Sequence, residues 1–126
     1  MRFQTIMVIK AVVCLGLGVP ILIAPVFVYS LFGASLNPAG TFAAREYGAA
    51  LIGTMLLTWF ARKEAQSNAR WAITLDLCVY DAIGLVVTLL ALSAGVLGPL
   101  GWLAVAIYLF FALAFGYYLL PQRKTA

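Results

Sequence analysis

Five ionisable side chains stand inside long apolar runs of this 126-residue chain: Lys10, Arg45, Glu46, Asp76 and Asp81. If these runs are membrane helices, each charge costs roughly 2.5–3.5 kcal/mol at a helix centre, so it is expected to face a partner rather than lipid. A carboxylate beside a cation or a phenol in such an interior can carry a proton, or it can form an ion pair that specifies packing.

Other groups that could support catalysis are scarce. The chain has no His, which removes bis-histidine haem, the usual zinc sites and histidine acid–base chemistry. Cys14 and Cys78 are far apart and neither belongs to a C-x-x-C pair, so the signature of thiol oxidoreductases is absent. We therefore predict no catalytic residue, no metal site and no cofactor.

Depth along the helices predicts partners for the charges. With a rise of about 1.5 Å per residue, Lys10 and Asp76 each lie about 9 Å from the same membrane edge. This agreement predicts an ion pair between Lys10 and Asp76. In the alternative, Lys10 extends its long stem so that the amine reaches the lipid headgroups.

Asp81 lies about 16 Å from that edge, near the midplane, where a carboxylate is too deep to reach headgroups. Tyr108 is estimated at a similar depth, and Arg45 about 8 Å away along the membrane normal. Pairing with Arg45 would keep Asp81 ionised, whereas Tyr108 alone would leave it protonated. In the alternative, Arg45 and Glu46 form a pair at the outer rim that is solvated by headgroups. The role of Asp81 can be structural, in a hydrogen bond or ion pair, or functional. The candidate buried polar site comprises Asp81, Arg45, Tyr108, Glu46, Thr74 and Thr88.

Helix phase predicts which face of the helix each of these residues lies on. At about 100° per residue, Thr74, Asp81 and Thr88 fall along one stripe, which we expect to face the interior of a helix bundle. Asp76 is about 140° away from Asp81 around the same helix. It must therefore face a different neighbour, either the first apolar run or another protomer.

The elements that position these residues are four apolar runs. The chain is 65% hydrophobic and 10% charged, whereas soluble domains average roughly 45–50% and about 25%. The runs cover about 5–32, 42–61, 71–94 and 100–120, each near or above the roughly 20 residues that a membrane helix needs. The strands of a membrane barrel would alternate apolar and polar residues. We therefore predict an all-α bundle of four transmembrane helices that forms a single domain over 1–126.

Local signals predict where the helices begin and end. Turn residues separate the runs at 33–40, 61–70 and 95–99. Thr41 is the predicted N-cap of the second helix, and Pro121 is predicted to end the fourth. Gly16, Gly18, Pro20 and Pro25 should kink the first run, and 26–32 is expected to lie obliquely at the far interface. Small residues that allow close helix contact recur on the second run at Ala44, Gly48, Ala49 and Gly53.

Basic residues predict the orientation in the membrane. Arg2, three basic residues of the 61–70 loop, Arg123 and Lys124 fall on one side, and the 33–40 and 95–99 connectors carry none. The positive-inside rule then makes both termini cytoplasmic in a multi-pass inner (plasma) membrane protein. The sequence pI of about 9.3 indicates contact with anionic lipid headgroups and does not indicate nucleic-acid binding.

The second run also carries a family resemblance. It contains Phe42-Ala43-Ala44-Arg45-Glu46-Tyr47-Gly48-Ala49-Ala50-Leu51-Ile52-Gly53 and ends in Trp59-Phe60-Ala61-Arg62. With the preceding Ala24-Pro25 and Leu31-Phe32-Gly33, this stretch resembles DoxX-like small bacterial four-helix membrane proteins of unknown function. The resemblance implies a bacterial inner-membrane protein with four spans, and it brings no catalytic residue.

Three classes of function are consistent with this pattern. The first is a non-catalytic accessory or binding module in which buried charges specify packing, with a membrane-protein partner or a second copy of the chain. The second is a small proton-linked transporter or carrier that uses Asp81, Arg45 and Tyr108 at the midplane. The third, a membrane enzyme acting on lipid or quinone, has the least support because His, a Cys pair and a metal-ligand cluster are all missing.

Overall fold

The computed structural model describes residues 2–120, and over that range it contains α-helices and no strand. The five helices are α1 (Phe3–Ile23), α2 (Pro25–Leu31), α3 (Pro38–Phe60), α4 (Asn68–Ser93) and α5 (Gly101–Leu119). The all-α class is therefore confirmed. Pro121, Arg123 and Lys124, on which one helix end and part of the orientation depend, lie outside the described residues.

Three helices, α1, α4 and α5, are long and apolar enough to cross a membrane, which indicates a membrane protein. α3 is less apolar than these three, because the adjacent charges Arg45 and Glu46 lower its average hydropathy, so three of the four predicted spans are supported. The outer surface of the bundle is also strongly apolar, with side chains such as Phe60 and Leu113 exposed. Soluble monomers rarely expose apolar patches of this extent.

The first apolar run is interrupted at Pro25, one of the four predicted positions, whereas α1 continues as a helix through Gly16, Gly18 and Pro20. α1 ends at Ile23, Ala24 leaves the helical conformation with φ −134° and ψ 63°, and Pro25 is the first residue of α2. Proline has no N–H to continue the α1 ladder, but its fixed φ suits the first position of a new helix. The N–H of Ala24 still donates to the carbonyl of Pro20 at 2.7 Å, so the break leaves this group paired.

The prediction that Thr41 caps the second long helix is wrong. α3 begins at Pro38 and is capped by Asn37, whose side-chain oxygen accepts from the N–H of Gly40 at 2.6 Å. Asn is a preferred N-cap and Pro a preferred first helical residue, so Asn37-Pro38 is the stronger start signal. Thr41 lies in the first turn, and its hydroxyl donates to the carbonyl of Asn37 at 2.9 Å.

The long helices form two closely packed antiparallel pairs, and the first pair is α1 with α3. A Cβ at Gly48 would lie 2.8 Å from the backbone nitrogen of Leu22, and one at Gly18 would lie 3.0 Å from the Cβ of Leu51. The two backbones therefore touch at Gly48, which confirms close contact at this small residue. Gly53, predicted to make a similar contact, has nothing within 4 Å of its Cβ position.

The second pair is α4 with α5. Gly101 packs against Leu92 near the connecting turn, and farther along, the Sγ of Cys78 lies 3.5 Å from the carbonyl of Ala112. The two pairs meet at both ends of the bundle. At one end an apolar cluster joins them: Phe3, Ile6, Met7, Ala61, Leu77, Phe111 and Phe115. At the other end, the N–H of Gly98 donates to the carbonyl of Phe32 at 2.7 Å.

Candidate functional site

A buried ion pair connects the two helix pairs. The Nζ of Lys10, on α1, lies 2.7 Å from the Oδ1 of Asp81, on α4, and the two side chains are 4% and 0% exposed. A pair removed from solvent to this degree is screened little by salt. Removing one partner would leave the other charge uncompensated in the interior. The contact therefore links the position of α1 to that of α4.

This pair corrects the predicted pairing of Lys10 with Asp76. Asp76 is exposed on the outer surface of α4, whereas Asp81 faces inward. Similar backbone height does not decide which charges pair, because the long lysine stem covers the difference in height between Lys10 and Asp81. Helix phase is the stricter constraint, because a residue about 140° around the helix cannot face the same neighbour.

Two aromatic rings flank the ammonium of Lys10. Its Nζ lies 4.5 Å from the ring centroid of Phe111 and 5.2 Å from that of Tyr80, both within the range of cation–π attraction. The carboxylate is less completely surrounded, because within residues 2–120 the Oδ2 of Asp81 is buried without a hydrogen-bond partner. One carboxylate oxygen is therefore paired and the other is left for a proton or an additional donor.

Arg45, Glu46 and Tyr108 are not assembled around Asp81 as predicted. Arg45 and Glu46 are exposed on α3, whose backbone does not come within 8 Å of that of α4. The hydroxyl of Tyr108 lies 2.6 Å from that of Tyr47, with which it shares a hydrogen bond. Depth predicts Tyr108 at the height of Asp81 and Arg45 about 8 Å from it along the membrane normal, but depth does not identify which helices are neighbours.

Thr74 and Thr88 share the inward face of α4 with Asp81, as the helix phase predicted, and both are buried. Their hydroxyls, however, donate to carbonyls of their own helix, at Arg70 and Gly84 respectively, each at 2.7 Å. This back-bonding satisfies a hydroxyl within one helix. The two threonines therefore line the interior without binding the Asp81 carboxylate.

Two tyrosines extend the polar region beyond the predicted residues. The ring of Tyr80 meets that of Tyr108 edge to face, with centroids 6.3 Å apart, and thereby connects the surroundings of Lys10 to the Tyr47–Tyr108 pair. The available signal was the recurrence of tyrosines in apolar runs, because a buried Tyr hydroxyl usually finds a hydrogen-bond partner.

A cavity of about 180 Å³ lies beside the ion pair, and all five helices contribute to its wall. Lys10 lines this cavity and also belongs to the ion pair. The wall includes four tyrosines, Tyr29, Tyr47, Tyr80 and Tyr108, among mainly aliphatic side chains. Phe32 and Leu97 line the far end, next to the hydrogen bond that joins the two loops. The bundle thus contains a partly open cavity with one polar region.

Residues 2–120 contain no group of three or more Cys, Asp or Glu side chains that could hold a metal ion. In comparisons with protein-family models, curated proteins and solved structures, no match to this chain is found. The resemblance to DoxX-like proteins stays a prediction. The buried ion pair, the tyrosines and the cavity between the helix pairs are the features of this chain that bear on its function.

Proposed function

We propose that this protein is a non-catalytic membrane module in which the Lys10–Asp81 pair specifies how the two helix pairs pack. The observation that carries this proposal is the 2.7 Å contact between two fully buried charges on different helix pairs. Apolar side chains alone allow several rotations of one helix pair against the other, whereas a buried charge penalises every arrangement that leaves it unpaired. The ion pair thus selects one arrangement.

We further propose that α3 is the fourth span, with both termini and the 61–70 loop in the cytoplasm. The support is that α3 packs antiparallel along α1, which is itself apolar enough to span. In addition, Arg62 and Lys63 lie in the connector between α3 and α4, and Arg70 lies in the first turn of α4. The resemblance to DoxX-like proteins supports a bacterial inner membrane. Anionic headgroups are the lipid partner that the basic residues favour.

Reporter fusions test this orientation. Fusions after Lys124 and within 37–40 are expected to give opposite signals, cytoplasmic for the first and external for the second, because basic residues are retained on the cytoplasmic side. A third fusion within 63–67 should match the one after Lys124. Equal signals at Lys124 and 37–40 would contradict a four-span arrangement.

We also propose that the module contacts a membrane-protein partner or a second copy of itself. Three charged residues, Arg45, Glu46 and Asp76, are exposed on α3 and α4. A charge that faces lipid is costly, and contact with another protein chain removes that cost. Such a contact requires neither nucleic acid nor a cofactor.

A second candidate, a proton-linked carrier, is favoured by one observation. The Oδ2 of Asp81 has no hydrogen-bond partner among the described residues, so it can accept a proton close to a cavity. In this alternative Lys10 and the proton compete for the same carboxylate, and the competition couples proton uptake to a change in helix packing.

Proteoliposomes and mild-detergent purification separate the two candidates. A packing module is expected to give no pH-driven proton flux above that of empty liposomes, and to migrate with a partner or as an oligomer in mild detergent. A carrier is expected to give a flux that Asp81→Asn abolishes and that Asp76→Asn, a matched change on the outer face of α4, preserves. Flux lost only in Asp81→Asn would replace the packing proposal by the carrier.

A further inference from the structure

The cavity between the helix pairs has the size of a single-ring ligand. Its volume is about 180 Å³. An apolar cavity of about 150 Å³ in a protein interior stays dry and accepts benzene, so the space here suits one aromatic ring with one or two small substituents. A two-ring compound would require the wall to expand.

The wall favours an aromatic ring over a flexible chain. Five of the side chains that line the cavity are aromatic: Tyr29, Phe32, Tyr47, Tyr80 and Tyr108. Aromatic rings attract one another in edge-to-face and offset geometries beyond the effect of buried area. A rigid ring also loses less conformational freedom on binding than an alkyl chain that fills the same volume.

The polar region of the wall favours a neutral oxygen over a charged group. Lys10 lines the cavity, but its ammonium is already compensated by the Asp81 carboxylate at 2.7 Å. The pair carries no net charge, so it offers little to offset the cost of removing an ion from water into this apolar space. A neutral hydroxyl or carbonyl avoids that cost.

The same region offers hydrogen bonds to such an oxygen. Tyr47 and Tyr108 share one hydrogen bond, in which either hydroxyl can donate, and the hydroxyl of Tyr80 interacts with both. A hydroxyl has one donor and two acceptor positions, so three hydroxyls that bond to one another still keep acceptor positions for an additional O–H. All three tyrosines line the cavity, so a hydroxyl on a bound ring has an acceptor within the wall.

We infer that the cavity is a binding site for a neutral, single-ring aromatic molecule that carries one hydrogen-bonding oxygen, of the phenol or benzyl alcohol class. The ring occupies the space between α1, α2 and α5, and its oxygen hydrogen-bonds to the Tyr47–Tyr108 pair. This site is separate from the packing role of the ion pair, because its occupant contacts the wall without replacing the contact between Lys10 and Asp81.

Fluorine NMR of the full-length protein in detergent micelles tests the chemical class. The probes are 4-fluorophenol and 4-fluorotoluene, which differ by exchange of a hydroxyl for a methyl group of similar size. After subtraction of partition into protein-free micelles, 4-fluorophenol is expected to bind about threefold to tenfold more tightly, the effect of one hydrogen bond. Equal binding, or a preference for 4-fluorotoluene, would overturn the inference.

Hydroxyl removal tests which residues bind the oxygen. The double variant Tyr47→Phe/Tyr108→Phe is expected to abolish the preference for 4-fluorophenol, because it removes both hydroxyls, whereas either single change leaves one hydroxyl that can still bind the oxygen. The control is Tyr117→Phe on the same helix as Tyr108, whose side chain is exposed on the outer surface. An unchanged preference in the double variant would show that the oxygen lies elsewhere and would contradict the proposed binding mode.

Changes of volume test the location. Ala104→Phe fills the cavity from α5 and is expected to lower the affinity for 4-fluorophenol at least tenfold, whereas Ala106→Phe, on the exposed face of α5, leaves it unchanged.

If Ala104→Phe fails to fold, the variant Leu17→Ala tests the location instead, because it enlarges the same cavity. It should then bind the two-ring probe 6-fluoro-2-naphthol more tightly than does Leu15→Ala, a change on the outer surface. Wild-type affinity in a folded Ala104→Phe, or no gain in Leu17→Ala, would exclude this cavity as the site.

Discussion

Loss of either partner of the Lys10–Asp81 pair is expected to lower the free energy of unfolding by about 3–5 kcal/mol, the usual cost of an uncompensated buried charge. In Lys10→Met the Asp81 carboxylate loses its cation while its Oδ2 already lacks a hydrogen-bond partner. In Asp81→Leu the ammonium of Lys10 stays buried among Phe111 and Tyr80, with only their rings to attract it.

The double variant Lys10→Met/Asp81→Leu is expected to recover most of this loss, because apolar side chains of similar volume often replace a buried ion pair without cost. Unfolding followed by circular dichroism in mixed micelles measures each variant, and the double-mutant cycle gives the coupling free energy. The control cycle uses Asp76→Leu in place of Asp81→Leu. The change in unfolding free energy caused by Asp76→Leu should add to that caused by Lys10→Met. A coupling free energy between Lys10 and Asp76, with none between Lys10 and Asp81, would contradict the pairing of Lys10 with Asp81.

Gly48→Ala is expected to destabilise the bundle by about 1–3 kcal/mol, the range for overpacking a close contact, by separating α1 from α3. The new Cβ would lie 2.8 Å from the backbone nitrogen of Leu22 and 3.0 Å from the carbonyl oxygen of Gly18. Backbone atoms of a helix cannot rotate away as a side chain can, so the helices must move apart. The contact of Gly18 with Leu51 would loosen with them.

Gly53→Ala is the matched control on the same helix. Nothing lies within 4 Å of its Cβ position, so the substitution is expected to be neutral or to stabilise α3 by about 0.5–1 kcal/mol through the lower flexibility of Ala. Both variants are measured by the same unfolding assay, with helix content checked before denaturation. Equal stabilities for the two variants would contradict close contact between α1 and α3 at Gly48.

Local sequence was sufficient to predict most of the helices. Long apolar runs, Gly and Pro connectors and the proline at position 25 act through the backbone within a few residues, so their effects do not depend on distant contacts. The errors were also local in origin. Thr41 is not the cap because Asn37-Pro38 starts α3 one turn earlier, and the charges of Arg45 and Glu46 reduce the apolar character of α3.

Helix phase correctly predicted which residues of α4 face inward, because a regular helix fixes the angle between residues whatever surrounds it. Thr74, Asp81 and Thr88 are buried, and Asp76 is exposed. Phase and depth place a residue on one face at one height, but they do not identify the helix that it meets. Depth and phase therefore left Arg45 and Tyr108 as alternative partners of Asp81, whereas α3 packs along α1 and its Cα atoms stay more than 8 Å from those of α4.

Only the tertiary structure decided the partners and the cavity. The packing of the α1–α3 pair against the α4–α5 pair brings Lys10 to Asp81 and Tyr47 to Tyr108, across 71 and 61 residues of sequence. Such contacts depend on how whole helices pack, which is a collective property of many side chains, as at the close approach of Gly48 to Leu22. The cavity has the same origin, because it is the space that remains between two helix pairs held together at both ends.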